Sequence, residues 1–159
     1  MLKSTFISVL TFNMLLLNGQ DVKSISQKGL IDILNSRNDT TYVVNFWATW
    51  CSPCVAEIGF FEDLHRKTLD KKLKVILINL DFPNQVNKRV DPFISKKNLS
   101  AEIINMTELD YNSWISLVDS SWSGAIPATL IFQGDNKKFF EKEMSRQELF
   151  SEVSKFINL

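Results

Sequence analysis

Apolar residues along this chain alternate between strand-like and helix-like spacing. Two runs rich in β-branched and aromatic residues, 42–47 and 73–80, predict buried strands. Apolar positions three or four residues apart predict helices over 25–36 and 54–69. Such alternation is typical of an α/β fold in which parallel strands form the centre of the sheet.

The pattern continues beyond the second strand. Residues 83–98 are predicted to be helical, with a break or bend near Pro92, because proline lacks the N–H that a helix interior needs. The further elements of this part are predicted strands at 101–106 and 126–132 and a short predicted helix at 111–118.

The last part of the chain predicts a hairpin and a closing helix. The polar turn 133–136 leads into a second hairpin strand over 137–143. Over 145–158 a helix is predicted, with Ser145 as its N-cap and Glu148 three residues on, as in a capping box. The whole order, α-β-α-β-α-β-α-β-β-α, predicts a mixed sheet with a parallel core, an antiparallel C-terminal hairpin and helices on both faces.

The N-terminus resembles a targeting segment. After Lys3, residues 6–17 form a largely apolar stretch of 12 residues, which suits a signal peptide and is shorter than the roughly 20 residues of a bilayer span. Leu17 stands where a cleavage site favours a small residue, so an uncleaved anchor and a helix of the domain itself remain alternatives. We therefore predict a signal peptide or N-terminal anchor over 1–20 and one domain over 21–159.

Composition narrows the possible functions. The 159 residues suit one domain, and a formal net charge of zero gives no reason to expect nucleic acid or a charged membrane surface as partner. The two cysteines, Cys51 and Cys54, are three positions apart, so they cannot cross-link distant parts of the chain. A framework of structural disulfides is therefore excluded.

The motif Cys51-Ser52-Pro53-Cys54 follows a predicted strand and begins a predicted helix. Free N–H groups and the helix dipole stabilise an anion there, so Cys51 is expected to form the thiolate that reacts in disulfide exchange. Pro53 suits the first turn, where its missing N–H costs little. The alternative, half of a zinc site, lacks support because the chain has one histidine, His65, and no second CxxC motif, so no metal is expected.

Two segments carry a family resemblance. Residues 43–54, VVNFWATWCSPC, resemble the active-site region of the thioredoxin superfamily, and most of all its TlpA/ResA branch of extracytoplasmic proteins. Residues 122–130, WSGAIPATL, resemble the cis-proline loop of that family. The resemblance implies a thioredoxin-like fold whose redox-active disulfide, Cys51–Cys54, works without a bound cofactor.

The resemblance also assigns roles to single residues. It makes Cys51 the attacking cysteine, Cys54 the resolving one, and Pro127 a cis-proline that faces the disulfide, an ordinary trans proline being the alternative. Ile126 would then offer its backbone to a substrate strand. Trp50 is expected to shield the disulfide and to contact partners.

Two positions depart from cytosolic thioredoxin. Asn45 stands where thioredoxin has a buried aspartate, and an amide cannot act as a base. Glu57, three residues after Cys54, matches an acidic position of the ResA-like branch and is expected to tune the cysteines or shuttle a proton. Its alternative role is that of an exposed helical glutamate.

Several aromatic residues have less certain places. Phe46 and Trp47 are expected in the core. A second group is expected either to line a groove near the disulfide or to pack in the core: Tyr111, Trp114 and Trp122.

Together these residues predict a periplasmic, monomeric dithiol reductase that acts on client proteins through mixed disulfides. The substrate-binding residues expected for it are Trp50, Ser52, Pro53, Ile126 and Pro127. The resemblance implies a membrane reductant of the CcdA/DsbD type and clients such as apocytochrome c. The alternatives are a disulfide oxidase or isomerase, and a binding module without turnover; a peroxidase lacks support because no Pro-x-x-x-Thr-x-x-Cys arrangement ends at Cys51.

Overall fold

A computed structural model describes residues 22–159, so the signal peptide or anchor predicted for 1–20 lies outside the described residues. The strands of its six-stranded sheet are β1 (Lys23–Ile25), β2 (Thr41–Trp47), β3 (Leu73–Asn79), β4 (Glu102–Met106), β5 (Ala128–Gln133) and β6 (Asn136–Phe140). The α-helices are α1 (Gln27–Leu34), α2 (Ser52–Lys67), α3 (Asp91–Lys97), α4 (Ile115–Val118) and α5 (Arg146–Val153).

The sheet is mixed, as predicted, with the strand order β1-β4-β3-β2-β5-β6. Strands β1, β4, β3 and β2 run parallel, because helices or long connections carry the chain back between them. Strand β5 is antiparallel to β2, and β6 is antiparallel to β5. The antiparallel part therefore begins at the central strand β2 and is not confined to the edge.

Alternation along β2 produces two separate cores. Val43 and Trp47 point to the face covered by α2, α3 and α5, whereas Val44 and Phe46 point to the face covered by α1 and α4. All four side chains are fully buried. The predictions of helices on both faces and of core positions for Phe46 and Trp47 are thus confirmed. No helix within residues 22–159 is long and apolar enough to cross a membrane.

The first strand was missed. The prediction placed Ile25 at the start of a helix, but Ile25 ends strand β1 and the helix begins at Gln27. Strand β1 has only three residues and pairs with β4, with Lys23 opposite Ile104. Three residues are too few to show the alternation of a strand, and the strand with which β1 pairs is remote in sequence.

The predicted break near Pro92 is present. The segment is divided into a 3-10 turn (Pro83–Gln85), a π-helical turn (Val86–Val90) and helix α3, and Pro92 lies in the first turn of α3. The change from π-type to α-type helix falls beside Pro92, whose backbone has no N–H to donate. The short helix predicted for 111–118 is likewise divided, into a 3-10 turn and α4.

The C-terminal elements are shorter than predicted. Strand β6 ends at Phe140, and α5 ends at Val153. The hairpin turn has Gly134 at a φ of 58°, a conformation that glycine adopts without strain. Ser145 is the N-cap of α5 and accepts the N–H of Glu148 at 3.2 Å, whereas the Glu148 carboxylate pairs with Lys142 at 2.6 Å.

Candidate active site

The two cysteines lie at the N-terminus of α2, directly after the loop that leaves β2. Cys51 is the N-cap residue, and its Sγ accepts the N–H of Cys54 at 3.3 Å. The pair forms a disulfide, with its Cα atoms 5.3 Å apart. Cys51 keeps 6% of its surface exposed while Cys54 is fully buried, so Cys51 is the sulfur that a large substrate can approach.

The residues around Cys51 form an exposed rim. Trp50 is 59% exposed, and Ser52 and Pro53 are also exposed. Pro53 lies in the first turn of α2, as its lack of an N–H favours. A large apolar side chain left in water beside a reactive pair suits contact with a partner, which agrees with the role predicted for Trp50.

The pairing of β5 with β2 brings the cis-proline loop, which contains Pro127, beside the disulfide. Strand β5 pairs antiparallel with β2, with Ala128 opposite Phe46, so the residues before β5 lie beside the loop that follows β2. The Ile126–Pro127 peptide bond is cis, as predicted, and the Ile126 carbonyl oxygen lies 3.7 Å from Cys51 Sγ. Pro127 is buried and Ile126 is half-buried.

Glu57 and Asn45, the two departures from thioredoxin, are direct partners. Asn45 Nδ2 donates to Glu57 Oε1 at 2.9 Å, and the Met144 N–H donates to Glu57 Oε2 at 2.6 Å. Glu57 lies one helical turn after Cys54 and is fully buried. The alternative of an exposed helical glutamate is therefore wrong, because α5 and the segment before it cover this face of α2.

Burial gives Glu57 an unusual acidity. It raises the pKa of this carboxyl from 4.5 to about 7, against the donations from Met144 and Asn45, and the nearby Glu143 charge raises it further. Asn45 Oδ1 finds no hydrogen-bond partner among residues 22–159 and is free to accept a proton donor. Glu57 can thus hold or release a proton near neutral pH.

A second buried carboxylate, Asp81, was missed by the sequence analysis. It is 2% exposed and accepts the Thr49 N–H at 2.7 Å, the Thr49 hydroxyl at 2.6 Å and Asn79 Nδ2 at 2.9 Å. Asn105 Nδ2 donates to its backbone oxygen at 2.9 Å. Asp81 therefore holds the loop two residues before Cys51. An Asn-x-Asp directly after β3 could have signalled this, because parallel strands end at the same sheet edge.

A third carboxylate, Glu141, was also missed. It follows β6 and accepts the N–H groups of Ser123 and Ala125 at 3.1 and 3.0 Å, together with the Ser123 hydroxyl. Trp122 Nε1 donates to the Ala125 carbonyl at 2.8 Å from the other side. These contacts hold the loop that leads into Ile126. No local pattern in the sequence announces them, since the partners are 16 to 18 residues apart.

The aromatic residues of uncertain place now divide. Trp114 and Trp122 are buried, with ring centroids 5.6 Å apart, and they pack beside Phe46 in the core. Tyr111 is 37% exposed and stacks at a tilt on Trp114. Of these three side chains, only Tyr111 therefore reaches the surface. Among the described residues, no group of three or more His, Cys, Asp or Glu side chains is placed to hold a metal ion.

Comparison with known sequences agrees with this geometry. A sequence model of the AhpC/TSA family matches residues 14–137. The thiol-disulfide oxidoreductase ResA of Oceanobacillus iheyensis is 38% identical over 58 residues, 36% of this chain and 29% of that protein. The sporulation thiol-disulfide oxidoreductase A of Bacillus subtilis is 29% identical over 93 residues, 58% of this chain and 50% of that protein. The chain thus matches half or less of the length of these relatives.

Solved structures support the fold. A secreted disulfide oxidoreductase of Mycobacterium tuberculosis superposes with a TM-score of 0.57 at 22% identity, over 74% of this chain and 83% of that one. A thioredoxin-related protein of Neisseria meningitidis superposes with a TM-score of 0.64 at 21% identity, over 77% and 89%. Both likenesses bear out the thioredoxin-like α/β fold.

Proposed function

We propose, on the premise that this chain belongs to the AhpC/TSA family, that it is a thiol–disulfide oxidoreductase that reduces disulfides of client proteins. The observation that carries the proposal is the Cys51–Cys54 pair at the N-terminus of α2, beside the cis-proline loop. A helix N-terminus stabilises the thiolate form, and a thiolate is the nucleophile of disulfide exchange.

The first step is attack by the Cys51 thiolate on a client disulfide. The client S–S bond breaks, a mixed disulfide forms between Cys51 and one client sulfur, and the other client sulfur leaves as a thiolate and takes a proton. The N–H of Cys54, 3.3 Å from Cys51 Sγ, stabilises the attacking anion.

The second step resolves the mixed disulfide. Cys54 loses its proton and attacks Cys51, the mixed disulfide breaks, and the client leaves as a dithiol while Cys51 and Cys54 are oxidised. Glu57 is the nearby group suited to take that proton, directly or through water, because it lies one turn along α2 and its pKa is about 7.

Client binding is assigned to the rim. Trp50, Ser52 and Pro53 are exposed around Cys51 and offer apolar and backbone contacts. Ile126 can pair its backbone with an extended client segment, in the manner of an added strand, because its carbonyl oxygen lies 3.7 Å from Cys51 Sγ, the attacking sulfur. Pro127 completes this wall.

We propose that the protein acts outside the cytoplasm, in a periplasm, as a monomer. The secreted relative from Mycobacterium tuberculosis and the ResA likeness support an extracytoplasmic site. The Cys51–Cys54 disulfide is regenerated to the dithiol by a membrane reductant of the CcdA/DsbD type, and apocytochrome c is a client of suitable chemistry. No bound cofactor takes part in either step.

Peroxide reduction is an alternative activity that the AhpC/TSA family name raises. Val44 and Ala48 stand where the Pro-x-x-x-Thr-x-x-Cys arrangement would place its proline and threonine before Cys51. The resolving Cys54 next to Cys51 instead suits disulfide exchange, so reduction of disulfides is the better supported activity.

Client trapping tests the proposal. In the Cys54→Ala protein, the second step is blocked, so client proteins should accumulate as mixed disulfides on Cys51 and be released by a small dithiol. The Cys51→Ala protein is the matched control and should trap none. If Cys54→Ala traps no clients while the unmodified protein still binds partners, the chain is a binding module.

The direction of electron flow needs a second measurement. The Cys51–Cys54 couple should equilibrate with glutathione at a reduction potential well below about −150 mV, since strong oxidants lie near −120 mV and thioredoxin near −270 mV. A potential above about −150 mV would make the protein an oxidase or isomerase instead.

A further inference from the structure

The loop before the cis-proline is held by one carboxylate. Glu141 Oε1 accepts the Ala125 N–H at 3.0 Å and the Ser123 N–H at 3.1 Å, and Oε2 lies 3.2 Å from the same Ser123 nitrogen. Gly124, between the two donors, has a φ of 96°, which lets both N–H groups turn to one anion. The Ser123 hydroxyl also donates to Glu141 Oε1 and is the largest cause of a Glu141 pKa below its ordinary value, to which the two N–H groups add.

The segment 141–144 continues from that carboxylate to the buried proton acceptor. Three residues after Glu141, the Met144 N–H donates to Glu57 Oε2 at 2.6 Å. Glu57 lies one turn after Cys54, and the loop that Glu141 holds ends at Ile126, 3.7 Å from Cys51. The contacts thus form a closed path from one cysteine to the other.

We propose that Glu141 is a positioning residue for client binding, which holds the Ile126 backbone in place to pair with an extended client segment. The proposal rests on the function proposed above. It extends that function to a residue outside the CxxC and cis-proline motifs, on a strand end that neither motif includes.

The contacts of Glu141 favour this role over that of a residue that only stabilises the surface through ion pairs. The donors to Glu141 are neutral groups of one loop, whereas Glu152, which is half-buried like Glu141, pairs with the ammonium groups of Lys138 and Lys155. A loop that must pair through its own backbone needs a fixed orientation, because each misdirected N–H or C=O loses a client hydrogen bond. The bonds from Glu141 end one residue before Ile126.

The test compares two substrates of different size. One is a peptide closed by a single disulfide, long enough to pair with Ile126, and the other is dithiobisnitrobenzoate, which offers no peptide backbone. For Glu141→Ala, we expect the half-saturating peptide concentration to rise about tenfold with little change in the maximal rate. The rate with dithiobisnitrobenzoate should stay within about twofold, because Cys51 itself is untouched.

Two further variants sharpen the result. Glu141→Gln keeps one acceptor oxygen and should lie between the wild type and Glu141→Ala. Glu152→Gln removes the same charge on α5 and should behave as wild type with both substrates. Melting curves of each variant separate loss of fold from loss of binding.

Each outcome has a definite meaning. If Glu141→Ala, still folded, reacts normally with the peptide, or slows equally with both substrates, the positioning role is wrong. If the wild type fails to reduce the peptide, or if Cys54→Ala fails to trap clients, the proposed function fails, which is a distinct result because it appears without any change at Glu141.

Discussion

Glu57 and Glu62 lie on the same helix, and their pKa values are shifted in opposite directions. Both carboxyls of α2 are buried, with Glu57 fully covered and Glu62 6% exposed. Burial raises the pKa of Glu57 to about 7. Burial acts on Glu62 in the same direction, but hydrogen bonds from the hydroxyl and N–H of Ser100, from Ala101 and from Arg66 bring its pKa below the ordinary value.

The difference comes from the donors. Glu62 accepts the Ser100 N–H at 2.8 Å, the Ser100 hydroxyl at 2.5 Å, the Ala101 N–H at 3.0 Å and the Arg66 guanidinium at 2.6 Å. Glu57 has two neutral donors and a like charge nearby. Burial determines the free-energy cost of ionising each carboxyl group. The number and charge of its hydrogen-bond donors then decide whether the group stays ionised.

The comparison separates a structural carboxylate from one suited to chemistry. Glu62 ties α2 to the residues just before β4, and its lowered pKa favours the ionised form that accepts these bonds. Glu57 lies one turn from Cys54, and its pKa of about 7 lets it exchange a proton near neutral pH. A perturbed carboxyl next to a reactive pair is the arrangement that general acid–base chemistry needs.

The largest effect is expected at Glu62, the structural carboxylate of the pair, and it concerns the stability of the fold. Glu62→Ala removes the buried carboxylate that accepts hydrogen bonds from Ser100, Ala101 and Arg66 and should lower the free energy of unfolding by about 4 kcal/mol. Denaturant unfolding of the reduced proteins measures this. The neighbouring Asp63→Ala, which breaks only an exposed pair with Arg146, should cost less than about 1 kcal/mol. Equal losses at Glu62 and Asp63 would contradict the comparison.

The next effect is a dependence of stability on pH. Since the folded pKa of Glu57 is about 7 and its ordinary value is 4.5, its contribution is fully present below about pH 4.5 and is lost as pH rises through 7. The loss is about 3 kcal/mol, and Glu57→Gln should remove it. Chemical denaturation from pH 4 to 9 measures the difference between the two proteins.

Glu62→Gln is the matched control for that series. The pKa of Glu62 is lowered, so its contribution is present above its unfolded pKa and is lost as pH falls through the folded value. The control should keep the alkaline loss and change only the acid side. A Glu57→Gln protein with the wild-type alkaline slope would show that Glu57 does not titrate as inferred.

Turnover should distinguish the two glutamates by a smaller factor. Glu57→Gln should slow the release of client from the mixed disulfide about tenfold at pH 7, or about 1.4 kcal/mol, because water can still take the Cys54 proton. Glu62→Gln should release client at the wild-type rate. Stopped-flow quenching with an alkylating agent measures the step, and equal slowing of the preceding attack by Cys51 would argue against the role of Glu57.

The smallest expected effect comes from the donor to Glu57. Asn45→Ala removes the Nδ2 donation, so the pKa of Glu57 should move further up, with a cost of about 1 kcal/mol to the ionised form. Infrared titration of the buried carboxyl band would measure the shift. Thr129→Val removes another acceptor of the same amide and should leave the titration unchanged. A downward shift in Asn45→Ala would contradict the account.

Local patterns predicted much of the fold and part of the site. Strands β2 and β3 and helix α2 follow from apolar spacing, and the Cys51–Cys54 motif with Pro127 follows from short segments. Strand β1 and the roles of Asp81 and Glu141 did not follow. Each depends on a partner across the sheet, such as Thr49 for Asp81, and side-chain spacing within one element carries no information about that partner.

The sequence by itself determined the order of helices and strands after β1, the junction that carries the cysteines, and the two glutamates on α2. Only the tertiary structure decided which glutamate remains ionised and which can exchange a proton. Three of the four donor groups of Glu62 belong to residues 38 and 39 positions away, Arg66 being the local one, and the Met144 donor to Glu57 is 87 positions away. Acidity depends on the groups that surround a buried carboxyl, and folding alone brings those groups to it.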